Sequence, residues 1–110
     1  MPKKNPGERW RYIAFSLESR RTISRGEFLD ALLHKSRKTA LDNQFRITVF
    51  GGGFGILKVP HKLKDEGITV LLSLDKIGDE VFSVKTLRTS GTIKTLKVRY
   101  KGLIEEEPPN

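Results

Sequence analysis

The chain has no cysteine. That excludes disulfides, thiolate metal ligands and a cysteine nucleophile. Only two histidines occur, His34 and His61. Neither belongs to an HExxH pair or has a second ligand pair nearby, so a zinc site finds no donor set. The carboxylates offer no pair suited to a metal either. Asp65 and Glu66 are adjacent in sequence, as are Asp79 and Glu80, and neighbours on a helix diverge. Ser90 precedes a glycine but has no histidine–acid partner that the sequence supports. No apolar run approaches the roughly 20 residues of a membrane-spanning helix. The opening MPKKNPGERW has lysines without an apolar segment behind them, unlike a secretory signal. The expectation is a cytoplasmic protein whose own side chains are not catalytic.

What the sequence has in excess is positive charge. Its 110 residues carry 21 Lys and Arg against 13 Asp and Glu, a net charge of +8 with a pI near 10.0. Three of the acids are Glu105, Glu106 and Glu107, so residues 1–104 hold 21 cations against 10 acids, or +11. Such a field suits a polyanion, nucleic acid rather than a membrane surface. The length fits one domain with one core. Residues 1–8, with Pro2, Pro6 and Gly7, read as a flexible arm. Residues 9–104 read as the domain, and 105–110, EEEPPN, as a disordered acidic tail.

Hydrophobic periodicity orders the domain. Ile13, Phe15 and Leu17 alternate through Trp10–Glu18, a strand with one buried face. Ser24 and Glu27 form a capping box, with Ile23 and Phe28 placed as a hydrophobic staple. The apolar stripe Phe28, Leu29, Leu32 and Leu33 then predicts a helix ending near Lys38 to Leu41. Gln44–Phe50 alternates again, with Phe45, Ile47 and Val49 on one face. FGILKV returns to extended character and Pro60 ends it. Helical spacing resumes through Leu63, Gly67, Val70, Leu71, Leu74 and Ile77, and Gly78 and Asp79 close that helix. Glu80–Thr89 is the fourth strand. The order βαββαβ predicts an α+β, ferredoxin-like (RNA-recognition-motif-like) sandwich with a four-stranded antiparallel sheet. Beyond Ser90 the pattern is double. Ile93, Leu96, Tyr100 and Leu103 fit a helix; Leu96, Val98 and Tyr100 fit a strand.

Between the middle strands lies FGGGFGILKV, Phe50 to Val59. It lacks the lysine followed by Ser or Thr of a phosphate-binding loop. A dinucleotide fingerprint beginning at Gly51 would need glycine where Ile56 stands, and a helix where a strand follows. It resembles the third-strand phrase of RNA-recognition motifs, but only Phe54 keeps an aromatic. Ile56 and Val59 occupy the other two aromatic positions. A hairpin turn that needs glycine is the reading that remains.

Basic residues gather in three places. Arg20, Arg21 and Arg25 surround the start of the first helix, where free N–H groups also favour phosphate. Lys35, Arg37 and Lys38 lie at its far end. Lys94, Lys97 and Lys101 share a face if their segment is helical. With few free aromatics, contacts to RNA are expected mainly at the phosphate backbone. Arginines after the first strand also occur in acylphosphatases, but the glycine-rich loop and arginine spacing of that family are missing. A small phosphate-handling hydrolase and a general basic RNA-binding module, ribosomal or other, are the alternatives.

RYIAFSLES at the first strand, FGGGFGILKVPHK at the hairpin and VKTLRTSGTIKTLK after the fourth strand together resemble the archaeal ribonuclease P protein component 2 family, whose eukaryotic relatives are the Pop-five proteins. The resemblance spans roughly Arg11 to Lys97, with RTSGTIK its most specific element. It implies extra helical structure after SGT, favouring a helix over Thr92 to Lys101. It also implies a non-catalytic subunit that binds ribonuclease P RNA and ribonuclease P protein component 3 in a two-plus-two heterotetramer, with precursor tRNA engaged indirectly. The chain itself would hold no cofactor; Mg²⁺ would serve the RNA as it removes the 5′ leader. The RNA contacts expected on this basis are Arg20, Arg21, Arg25, Arg88, Lys94 and Lys97, with Ser90 and Thr92 hydrogen-bonding beside them.

Overall fold

Local chemistry sets the first helix. Ser24 Oγ accepts the Glu27 N–H at 3.1 Å, and Glu27 Oε1 accepts the Ser24 N–H at 3.0 Å. This reciprocal cap opens α1, Arg25–Ser36, and a cap of this kind is worth about 1 kcal/mol. Ile23 and Phe28 on either side of it both enter the core. The helix stops at Ser36, short of the expected Lys38 to Leu41. Thr39 is the reason: its Oγ1 and its N–H both donate to the Ser36 carbonyl, at 2.8 and 2.9 Å. A local side-chain bond thus replaces the next helical turn.

The computed structural model describes residues 9–104; the expected arm and acidic tail lie outside the described residues. Five strands form one antiparallel sheet: β1 Trp10–Ser19, β2 Arg46–Gly51, β3 Phe54–Pro60, β4 Lys76–Ile77 and β5 Glu80–Ser90. Their order is β2-β3-β1-β5-β4. α2, Lys64–Ser73, follows β3 after one 3₁₀ turn, and α3, Ile93–Arg99, follows β5. The architecture is the expected ferredoxin-like α+β sandwich, with one strand more than expected.

The extra strand corrects the reading of the second helix. Helical spacing through Leu74 and Ile77 predicted a helix to Gly78, but α2 ends at Ser73 and Leu74 is already extended. The chain reverses at Gly78 (φ +60°), so that Ile77 pairs with Glu80 and Lys76 with Val81. Leu74 is buried all the same. Burial at that position therefore satisfies a helix pattern and an extended one equally well.

The glycines at 52 and 53 make the β2–β3 hairpin. Both have positive φ, +62° and +79°, the two-residue mirror-image turn whose twist matches that of a hairpin. Gly51 pairs with Phe54 across it. The Gly53 carbonyl also accepts the Leu17 N–H at 2.8 Å, tying the turn to β1.

Two apolar clusters lie on opposite faces of the sheet. The larger, under α1 and α2, contains Ile13, Phe15, Phe28, Leu32, Leu57, Val59, Leu71 and Phe82. Its aromatics interlock, with Phe28 centred 5.2 Å from Phe15, 5.1 Å from Phe50 and 6.3 Å from Phe82. The smaller holds Ala14, Phe54, Ile56 and Leu96 beneath α3. β1 is consequently buried on both faces at its middle, where the expected pattern buried one. A bulge adds a second difference. Ile47 pairs with Leu57 and Val49 with Ile56, so the intervening Thr48 is extra, its Oγ1 donating to the Ile56 carbonyl at 3.2 Å. Past a bulge the side-chain alternation is shifted. Val49 therefore joins the α3 cluster while Ile47 and Phe50 stay with the larger one, and the single face expected for Phe45, Ile47 and Val49 is broken after Ile47.

Candidate nucleic-acid interface

From Val81 to Ile104 the chain holds six cationic residues and no carboxylate. The fold turns that stretch into the end of β5, a tight bend and α3. The Ser90 Oγ accepts the Thr92 N–H at 3.1 Å, and the hydroxyls of Thr92 and Thr95 lie 2.8 Å apart. These bonds set the bend. Leu96 is fully buried, with Ile93 and Tyr100 half-buried beside it, and together they seat α3 on the sheet. The ambiguous segment is thus helical over Ile93–Arg99, while Leu103, expected on the apolar stripe, is 52% exposed.

An open groove of about 600 Å³ runs between α3 and β5, lined by Arg88, Thr92, Lys94, Thr95, Val98 and Arg99. Three of the expected contact residues, Arg88, Thr92 and Lys94, meet there. Ser90 stands beside them as the hydroxyl that shapes the bend. Arg99 was missed by the sequence reading, although Thr92, Thr95 and Arg99 recur at helical spacing once the segment is taken as a helix. Lys97 is exposed outside the groove. At about 100° per residue it projects from the flank of α3 opposite Arg99. Among the described residues no carboxylate pairs with Arg88, Lys94, Lys97 or Arg99.

The arginines near α1 are placed differently. They line a second cleft of about 410 Å³ with Ser24 and Gly51–Gly53. The Arg21 guanidinium makes a two-pronged pair with Glu27, at 2.8 and 3.1 Å, and lies 3.7 Å from Glu80. The hydrogen bond from Arg21 and the one from the Ser24 backbone hold the Glu27 carboxyl at a pKa of about 2, well below its ordinary 4.5. Bonding to Glu27 raises Arg21 in turn. Arg25 reaches the other way and donates to the Ile47 carbonyl. Arg20 is exposed, with no hydrogen bond or ion pair among the described residues.

The sheet's own aromatic platform is closed. Phe54, the single aromatic kept from the RNA-recognition phrase, is 1% exposed and lies 5.3 Å from the Tyr100 ring under α3. Among the described residues, no group of three or more His, Asp or Glu could hold a metal ion. No helix among them is long and apolar enough to cross a membrane.

The chain is thus a ferredoxin-like domain with one sheet face capped by a short helix and an open basic groove beside it. The family model of the Rpp14/Pop5 family matches residues 11–101, and the chain belongs to that family, which supplies subunits to the ribonuclease P/MRP ribonucleoprotein enzymes. A chain in the cryo-EM structure of yeast ribonuclease MRP shares the fold, with a TM-score of 0.64 at 14% sequence identity, covering 90% of this chain and 95% of that one. No curated protein matches the chain.

Proposed function

We propose that this chain is a non-catalytic subunit of ribonuclease P that works with ribonuclease P protein component 3 to hold the catalytic domain of the RNA in its active shape. The observation that carries the reading is a basic groove whose cations pair with no carboxylate among the described residues, in a member of the Rpp14/Pop5 family. Phosphates bound there would release counterions, the main source of affinity in such contacts. Arg88, Lys94 and Arg99 bear the phosphate contacts and Thr92 offers a hydroxyl beside them. Arg20 and Lys97 extend the contact surface outside the groove. Arg21 and Arg25, whose guanidiniums already serve Glu27 and the Ile47 carbonyl, contribute less. The RNA and its Mg²⁺ ions carry out the hydrolysis that frees the 5′ leader of precursor tRNA, and the assembly is a cytoplasmic two-plus-two heterotetramer with component 3.

Reconstitution tests this directly. Adding the purified chain with component 3 to ribonuclease P RNA should raise precursor-tRNA cleavage at low Mg²⁺. No gain over RNA with component 3 alone would overturn the proposal and leave the general RNA-binding module as the better reading.

A further inference from the structure

Across one end of the sheet, on the face that carries α3, four residues stand in a row on neighbouring strands. Arg46 on β2 pairs with Lys58 on β3, Lys58 with Tyr12 on β1, and Tyr12 with Ser90 on β5. At roughly 4.8 Å per strand this row is about 14 Å long, and it ends beside the Arg88–Thr92 groove. Trp10 lies two residues before Tyr12 on the same face. α3 stops short of this end: Trp10 is 37% exposed, unlike Phe54.

The row is chemically odd for a purely structural surface. Arg46 and Lys58 are like charges directly opposite each other, an arrangement that destabilises a sheet. No carboxylate among the described residues pairs with either. Lys58 instead sets its ammonium 4.5 Å from the centre of the Trp10 ring and 6.0 Å from that of Tyr12. Beside them opens a cleft of about 310 Å³ lined by Trp10, Asn43, Gln44, Phe45, Arg46 and Lys58. An indole, two cations and two side-chain amides around one cleft supply a stacking surface, phosphate donors, and groups that can pair with a base edge.

We infer that this end of the sheet is a binding site for an unpaired RNA nucleotide. Its base stacks on Trp10, its phosphate lies against Arg46 and Lys58, and the strand continues along the row into the α3 groove. The inference rests on the RNA-binding part of the proposed function but does not need the ribonuclease P role. It assigns to Trp10 a nucleobase contact that phosphate binding in the groove does not require.

Trp10 is the only tryptophan in the chain, so its fluorescence reports on the site directly. Titrating the full chain with a short single-stranded oligouridylate should quench Trp10 saturably. Inorganic polyphosphate and an RNA duplex should bind through charge and leave the emission largely unchanged. Trp10→Ala should weaken oligouridylate binding, followed by anisotropy of a labelled strand, roughly five- to one-hundred-fold, the range seen for loss of one base–aromatic stack. Trp10→Phe should retain most of the affinity, and Arg46→Ala, at an exposed position on β2, provides a second variant should Trp10→Ala fold poorly. It should flatten the salt dependence by about 0.7 in log–log slope. Equal quenching by polyphosphate, or wild-type affinity in Trp10→Ala, would overturn the site. Quenching without stimulation of precursor-tRNA cleavage would overturn the ribonuclease P role and leave this site standing; stimulation without quenching would do the reverse.

Discussion

Gly55 gives the sharpest test of how this core is built. A Cβ added there would lie 2.4 Å from Phe15 Cζ, 2.9 Å from its Cε1 and 3.0 Å from the Val49 carbonyl oxygen. Carbon–carbon contacts are favourable at about 3.5–4.0 Å, so the nearest overlap exceeds about 1 Å. Phe15 has nowhere to retreat. It is fully buried and stacked on Phe28 at 5.2 Å with their planes 17° apart. Overpacking of a rigid core costs about 1–3 kcal/mol, and a ring and a backbone carbonyl on two sides of the new methyl place Gly55→Ala at the upper end. At roughly 4–8 °C per kcal/mol for a domain this size, the melting temperature should fall by about 12–24 °C. Gly26→Ala is the matched control. It sits in the first turn of α1 with nothing within 4 Å of the added Cβ, and should stabilise by about 0.4–1 kcal/mol. Phe15→Leu removes the ring atoms that clash, so Gly55→Ala and Phe15→Leu together should cost less than the sum of the two separate changes. Thermal and urea denaturation of the four variants measure all of this. A Gly55→Ala protein melting within about 2 °C of the parent, or strictly additive costs, would refute the packing account.

Two further outcomes are expected. Because the Glu27 carboxyl is held at about 2 in the folded chain against an ordinary 4.5, its stabilising effect is complete above about pH 4.5 and is lost as pH falls toward 2. Glu27→Gln should thus show a shallower loss of melting temperature across that window than the parent; an identical acid limb would contradict the Arg21–Glu27 pairing. In RNA binding, Arg88→Ala, Lys94→Ala and Arg99→Ala should each flatten the log–log salt slope by about 0.7–0.9. Arg21→Ala, whose charge is already spent on Glu27, should leave the slope near that of the parent, and a large change there would shift the interface to α1.

The sequence announced what is decided within a few residues. The capping box at Ser24 and Glu27, the hairpin at Gly52 and Gly53, and the alternation in β1 all emerge where they were expected. What escaped depends on residues distant in the chain. The extra residue at Thr48 leaves no mark on composition, yet it moves Val49 to the other face. Leu74 and Ile77 satisfy helical spacing while lying in extended chain, because a buried side chain is apolar in either state. The candidate interface divides in the same way. Cations at 88, 94 and 99 converge only because Leu96 seats α3 against the sheet. Arg25 looked as available as Arg20 until the Ile47 carbonyl on β2, 22 residues further on, came to accept a hydrogen bond from its guanidinium. The Arg46–Lys58–Tyr12 row, with Trp10 beside it, likewise depends on the register of three strands, which no local pattern encodes.

The position of β1 in the sheet has a consequence for how the molecule forms. Although it is the first strand, it lies in the middle, between β3 and β5. Its closest pairing in sequence, Ser16 with Phe54, spans 54 − 16 = 38 residues, and on the other side Ser19 with Phe82 spans 82 − 19 = 63. α1 and the β2–β3 hairpin can form from local contacts, but the strand they pack against gains its neighbours only by closing long loops, which slows folding. During synthesis β1 therefore emerges first and waits. Ile13 and Phe15 lack their first strand partners, Leu57 and Gly55, until about half of the chain has been made, and their second, Thr89 and Thr86, until β5 follows.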